Sequence, residues 1–97
     1  MADIRILADL WDVIEERAAN PKDGSYVTSV LLHHKGADKA LEKVGEEAVE
    51  YIIAAKNGVY ERTVSEAADL LFHILVSLRA TDTDLTDVLE ELERRRK

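Results

Sequence analysis

Apolar side chains recur at a spacing close to 3.6 residues along nearly the whole chain. Nowhere do Val, Ile and Thr alternate with polar residues over a useful length. That period lines up one face of a helix and cannot serve a strand, whose faces alternate every second residue. One proline and four glycines leave few places for helices to break. The pattern therefore predicts an all-α fold, a bundle of about five helices around a central antiparallel hairpin. The first helix is expected from about Ala2 to Ala19, with Asp3 as N-cap, ending at Asn20-Pro21-Lys22-Asp23-Gly24. A short helix capped by Ser25 runs to about His34, and Gly36 separates it from the next. The third spans about Asp38 to Lys56 and stops at Asn57-Gly58. The fourth spans about Tyr60 to Arg79, and the fifth starts at the N-cap Asp84 and fills the C-terminus.

Ninety-seven residues make one domain with a modest core, so residues 1–97 are read as a single unit. A net charge of −7 argues against a nucleic-acid surface, which needs a basic stripe, and against an anionic membrane. It leaves room for phosphorylated small molecules if a divalent cation stands between the two sets of negative charge. No apolar run approaches the roughly 20 residues needed to cross a bilayer. The first apolar stretch carries acids and no basic-then-apolar signal pattern, so a cytoplasmic protein is expected. Without cysteine there is no thiolate nucleophile and no cysteine-based zinc site. The basic run Arg94 to Lys97 reads as a solvated helix end, His33 and His34 as surface residues, and Trp11 as core or interface.

The fourth helix is unusual. At about 100° per residue, Glu66, Asp69, His73 and Ser77 fall on one narrow stripe, with Arg62 upstream. Val64, Ala67, Ala68, Leu70, Leu71, Phe72, Ile74, Leu75, Val76 and Leu78 surround every other side. A helix apolar nearly all round is a buried helix, so the stripe is expected inside or in a cleft. This much apolar surface exceeds what one small chain can cover, which predicts a homodimer or higher homo-oligomer. On the third helix Glu46 and Glu50 share a face with Glu47 at its edge, and Lys39 and Lys43 extend it. Leu41, Val44, Ala48, Ile52 and Ala55 lie opposite, with Val49 and Ile53 widening that apolar surface. Folded back at Asn57-Gly58, the two helices bring Glu50 level with Glu66, and Glu46 level with Asp69. At about 4 Å two like charges repel by roughly 4 kcal/mol at an effective dielectric near 20. The cluster then requires protonation, Lys and Arg partners, or a metal; all-oxygen ligands suit Mg²⁺, with Mn²⁺ as a substitute. A merely solvated Glu face, with Lys43 pairing along the helix, is the competing reading.

Glu46-Glu47-x-x-Glu50, then fifteen residues, then Glu66-x-x-Asp69 resembles the metal motif of the all-α nucleotide pyrophosphohydrolases, MazG-type enzymes and dimeric dUTPases among them. Lys43-Val44-Gly45-Glu46-Glu47-Ala48, Ala54-Ala55-Lys56-Asn57 and Glu66-Ala67-Ala68-Asp69-Leu70-Leu71 with His73 are similar to the phosphoribosyl-ATP pyrophosphohydrolase family of histidine biosynthesis. Ser25-Tyr26, Gly36-x-x-Lys39 and Leu85-x-x-Val88-Leu89-x-x-Leu92-x-x-Arg95 extend the likeness over roughly residues 25–95. The stretch from Tyr26 to Gly36 runs slightly longer than that pattern.

The resemblance implies Mg²⁺-dependent hydrolysis of phosphoribosyl-ATP to phosphoribosyl-AMP and pyrophosphate. It implies Glu46, Glu47, Glu50, Glu66 and Asp69 as metal residues, with Glu47 and Glu50 catalytic and Glu47 accepting the water proton. Lys39, Lys43, Lys56, Asn57, Arg62 and His73 would face the substrate, Lys56 across a subunit interface. A (d)NTP-cleaving relative and a non-enzymatic helical dimerisation module are the alternatives.

Overall fold

The computed structural model describes residues 2–96. Among them all regular structure is helical: α1 (Arg5–Ala19), α2 (Tyr26–Leu31), α3 (Ala37–Asn57), α4 (Tyr60–Ala80) and α5 (Leu85–Arg95). No helix among these residues is long and apolar enough to cross a membrane.

The ends with local chemical causes fall where the sequence places them. Ser25 accepts a hydrogen bond from the Thr28 N–H, and Asp84 from the Thr86 N–H, each satisfying a donor that has no partner inside its helix. Gly58 ends α3 at φ 71°, a left-handed conformation that glycine adopts without a Cβ clash.

Two ends differ from expectation. The N-cap of α1 is Ile4, not Asp3, and the helix begins at Arg5 rather than Ala2. Asp3 accepts from the Arg5 backbone N–H and pairs with its guanidinium at 2.7 Å, a local turn that competes with helix. The second helix stops at Leu31, not His34, because the His33 ring accepts from the Lys35 N–H and supports a turn instead. Lys97, the last of the basic run, lies outside the described residues, while Arg94 and Arg95 pair with Glu91.

The core gathers where α1, α2 and the C-terminal half of α4 meet. Ile14, Val27, Val30, Leu75 and Val76 are buried there with Ala40 and Leu85, and Leu7, Leu10, Trp11 and Phe72 pack around them. Fully burying a side chain such as Ile14 contributes about 1.5–3 kcal/mol. Beyond that core, α3 and α4, joined through Gly58 and Val59, share the most extensive helix–helix contact.

Within this one chain α4 is buried only on the side that meets α1, α2 and α3. Val64, Ala68 and Leu71 are exposed, as are Leu41, Val49, Ile52 and Ile53 on α3. Among the described residues no helix lies over that outer surface.

Candidate metal centre

The line of α3 that turns inward is Ala40, Glu47 and Ala54, at i, i+7 and i+14. Ala40 joins the core, and Glu47, two turns further along that line, is buried at 8% exposure. From α4 the inward line is Glu66, His73, Val76 and Ser77. One carboxylate oxygen from each of Glu47, Glu66 and Asp69 consequently lies within 4.8 Å of the other two. Asp69 is exposed, so the cluster has a mouth toward solvent.

Sequence reasoning puts Glu46 and Glu50 at the centre of the acidic face and Glu47 at its edge. The structure reverses that order. Glu46 and Glu50 are exposed, and Glu47 is the innermost acid. On the opposite side of α3, Leu41, Ile52 and Ala55 are exposed and Val44 and Ala48 are half-buried. Helical periodicity identifies the faces of α3, but tertiary packing decides which one α4 meets.

Cations reach the cluster only partly. Lys43 lies 3.4 Å from Glu46 and 3.7 Å from Glu47, and Arg62 lies 3.5 Å from Glu66. All three pairs run within a single helix each, a geometry worth only a few tenths of a kcal/mol. The second oxygens, Oε2 of Glu47 and Oε2 of Glu66, are buried with no hydrogen-bond partner. A buried carboxylate oxygen without a donor is expensive, and interiors rarely tolerate one. Burial pushes the Glu47 carboxyl above its ordinary range; the Glu50 carboxyl beside it and the Asp69 charge push the same way, and Lys43 opposes them. Hard oxygen ligands, an excess of negative charge and two orphaned acceptors together form a donor set that fits a divalent cation such as Mg²⁺.

His73 lies behind this cluster at 6% exposure, with both ring nitrogens engaged. Nδ1 is 2.7 Å from the Asp69 carbonyl oxygen and Nε2 is 2.8 Å from the Tyr26 hydroxyl. Burial raises the Tyr26 phenol pKa, and Glu47, Glu46 and Asp69 nearby add to it, so the hydroxyl stays a donor. Sequence reasoning matches Tyr26 to a family pattern but assigns it no role. Its partner is 47 positions away, and no spacing rule links them.

The remaining candidates surround the cluster at greater reach. Lys39 is within 3.9 Å of Glu42 rather than of the central acids. Lys56 and Asn57 are exposed at the end of α3, about 10 Å along the helix axis from Glu50 at 1.5 Å per residue. A separate concavity lined by Arg17, Ala18, Leu31, Leu32, Arg79 and Ala80 lies at the other end of α4; Arg79 there is tied to Glu15 and Asp82.

The sequence model of the family described as phosphoribosyl-ATP pyrophosphohydrolase matches residues 7–96. A protein of Methanoculleus marisnigri named phosphoribosyl-ATP pyrophosphatase is 68% identical over 97 residues, covering all of both chains. Proteins of the same name from Methanosphaerula palustris and Methanoregula boonei are 59% and 60% identical, covering 100% and 98% of this chain and 98% and 91% of their own.

Proposed function

The chain belongs to the phosphoribosyl-ATP pyrophosphohydrolase family, and from that membership we propose how its acidic seam performs the reaction. It is a hydrolase that converts phosphoribosyl-ATP to phosphoribosyl-AMP and pyrophosphate in histidine biosynthesis. Water attacks the α-phosphorus, the bond from that phosphorus to the α–β bridging oxygen breaks, and the bridging oxygen leaves with pyrophosphate.

Glu47, Glu66 and Asp69, with Glu50 and Glu46 beside them, would hold one or two Mg²⁺, or Mn²⁺ as a substitute. When bound, the cation neutralises phosphate oxygens and acidifies the attacking water. Glu47 accepts the water proton: its place at the bottom of the seam keeps bulk water from competing. Glu50, against Glu47, holds that carboxyl in register. Lys39, Lys43, Lys56, Asn57 and Arg62 offer donors around the rim to the triphosphate and the 5′-phosphate. The reading rests above all on the two orphaned oxygens of Glu47 and Glu66, which nothing in the chain satisfies.

The test is pyrophosphate release from phosphoribosyl-ATP with and without Mg²⁺, beside ATP, dUTP and dCTP, for wild type and Glu50→Gln. Mg²⁺-dependent turnover confined to phosphoribosyl-ATP and lost in the variant is expected. Turnover of a dNTP instead would move the substrate assignment and keep the site. A folded sample that turns over nothing would overturn both.

The same reading makes the chain a single domain and a cytoplasmic homodimer, with α3 and α4 as an antiparallel hairpin at its centre. The support for a partner lies on the outer face of α3. Gly45 sits in the middle of that helix, among exposed Leu41, Val49 and Ile52. A helix-interior glycine costs about 1 kcal/mol relative to alanine. A Cβ there would meet nothing in this chain within 4 Å. Close approach by a second copy gives the missing Cβ a purpose. Lys56, at the exposed end of α3, then reaches the partner's substrate. Sedimentation at the monomer mass of 10.9 kDa would defeat the dimer.

A further inference from the structure

We propose that Tyr26 and His73 act as a positioning pair, tying the core to the turn of α4 that carries Asp69 and so setting the Asp69 carboxylate against Glu47 and Glu66. The inference rests on the metal reading for its purpose and on geometry for its content. A carbonyl oxygen has no proton to give, so the contact from His73 Nδ1 to the Asp69 carbonyl at 2.7 Å requires a proton on Nδ1. In the neutral ring Nε2 is then an acceptor, and the Tyr26 hydroxyl at 2.8 Å donates to it. Each bond thereby selects the tautomer that the other needs.

The ring has little freedom to do anything else. It is buried, and both Tyr26 and Phe72 meet it edge to face, at centroid separations of 5.6 and 5.2 Å. Tyr26 opens α2, whose Val27 and Val30 are buried in the core. The chain of contacts therefore runs from the best-packed part of the molecule to the acid seam.

Asp69 is the acid that most needs such support. It is exposed, and among the described residues no cation lies within ion-pair distance of its carboxylate, whereas Glu47 has Lys43 and Glu66 has Arg62. The His73 contact reaches it through its carbonyl oxygen, one turn away on the same helix. Groups that orient a metal-binding residue typically govern metal affinity or activity by about 10- to 100-fold.

The experiment compares wild type with Tyr26→Phe, His73→Asn and His73→Gln by ¹⁵N and ¹³C NMR and by Mg²⁺ titration, with circular dichroism as the check on folding. Wild-type His73 is expected as a single Nδ1–H tautomer. Tyr26→Phe keeps the ring contacts but removes the hydroxyl: the tautomers should mix, the Asp69 carboxyl ¹³C signal should move, and the Mg²⁺ dissociation constant should rise about 10- to 100-fold. His73→Asn keeps an amide donor where Nδ1 stands but gives up the Tyr26 contact, and His73→Gln reaches toward the Nε2 position but gives up the Asp69 contact, so each should weaken Mg²⁺ binding by about the same 10- to 100-fold. A Tyr26→Phe protein with wild-type tautomer, Asp69 signal or Mg²⁺ affinity overturns the pair. So does an Asn or Gln variant that binds Mg²⁺ as tightly as wild type. A wild-type chain that binds no Mg²⁺ sinks the metal reading instead, and the Asp69 signal in the metal-free protein then decides the tether.

Discussion

The seam between α3 and α4 and the outer face of the same two helices invert the usual order of a soluble protein. Inside the seam, Glu47 and Glu66 each bury an oxygen without a donor. On the outside, Ile52 is 56% exposed, Val64 52% and Leu71 50%. Each is costly for a lone chain in water, through lost hydration in the seam and through unburied apolar area outside. The two costs call for different complements. Orphaned oxygen acceptors fit a hard cation, whereas an apolar surface with a glycine at its centre fits another protein surface. The core under α1 and α2 shows neither anomaly, and it supports both faces without taking part in either.

The comparison breaks most sharply at Glu47. Glu47→Gln should lower Mg²⁺-dependent turnover about 10²- to 10⁴-fold, the usual range for removing a general base. The same change should stabilise the metal-free protein, because an amide escapes the repulsion of Glu50 and Asp69. The sign follows from the upward shift of the Glu47 pKa. Protonation is favoured in the fold, so the stabilising contribution is fully present below the ordinary value near 4.5 and is lost as pH rises through the higher folded value. Thermal melting of the metal-free wild type should therefore fall over that interval, and the Gln variant should lack the fall. A wild-type melting point flat with pH would mean that the seam carries no charge strain.

Next in size is Ile52→Glu on the outer face. A buried contact at the centre of an interface is commonly worth about 2 kcal/mol or more, so the variant should weaken self-association at least about 30-fold by sedimentation, since each 1.4 kcal/mol is tenfold. Helicity by circular dichroism should persist, because the core does not include this residue. Unchanged sedimentation would leave the face uncovered.

The smallest effect is the most discriminating. Gly45→Ala should raise the stability of an isolated chain by about 1 kcal/mol through helix propensity alone. If two copies approach closely there, the added methyl should weaken association instead. Melting curves at several protein concentrations separate the two outcomes.

Much of the site is legible in the sequence. Glu66 and His73 of the α4 stripe turn inward as the helical period demands, Asp69 stays at the exposed mouth, and Glu47, Glu66 and Asp69 do converge. Local caps at Ser25, Gly58 and Asp84 are equally legible, since each depends on a residue and its immediate neighbours. Less legible is the rank of the acids on α3. A helical wheel shows that α3 has an acidic flank and an apolar side, and hydropathy favours burying the apolar side. Hydropathy does not say whether an apolar side belongs to its own chain's core or to another surface. Ala40, Glu47 and Ala54 form the line of α3 that turns inward, and Glu47 is the acid on it.

Sequence alone determines the helical class, most helix ends and the family's acidic motif, because periodicity, capping and motif spacing are local along the chain. Only the tertiary structure decides that Glu47 rather than Glu46 lies deepest, that two carboxylate oxygens are left without donors, and that Tyr26 meets His73 across 47 positions. Those facts depend on which side chains share one volume, and packing in three dimensions sets that where linear spacing does not.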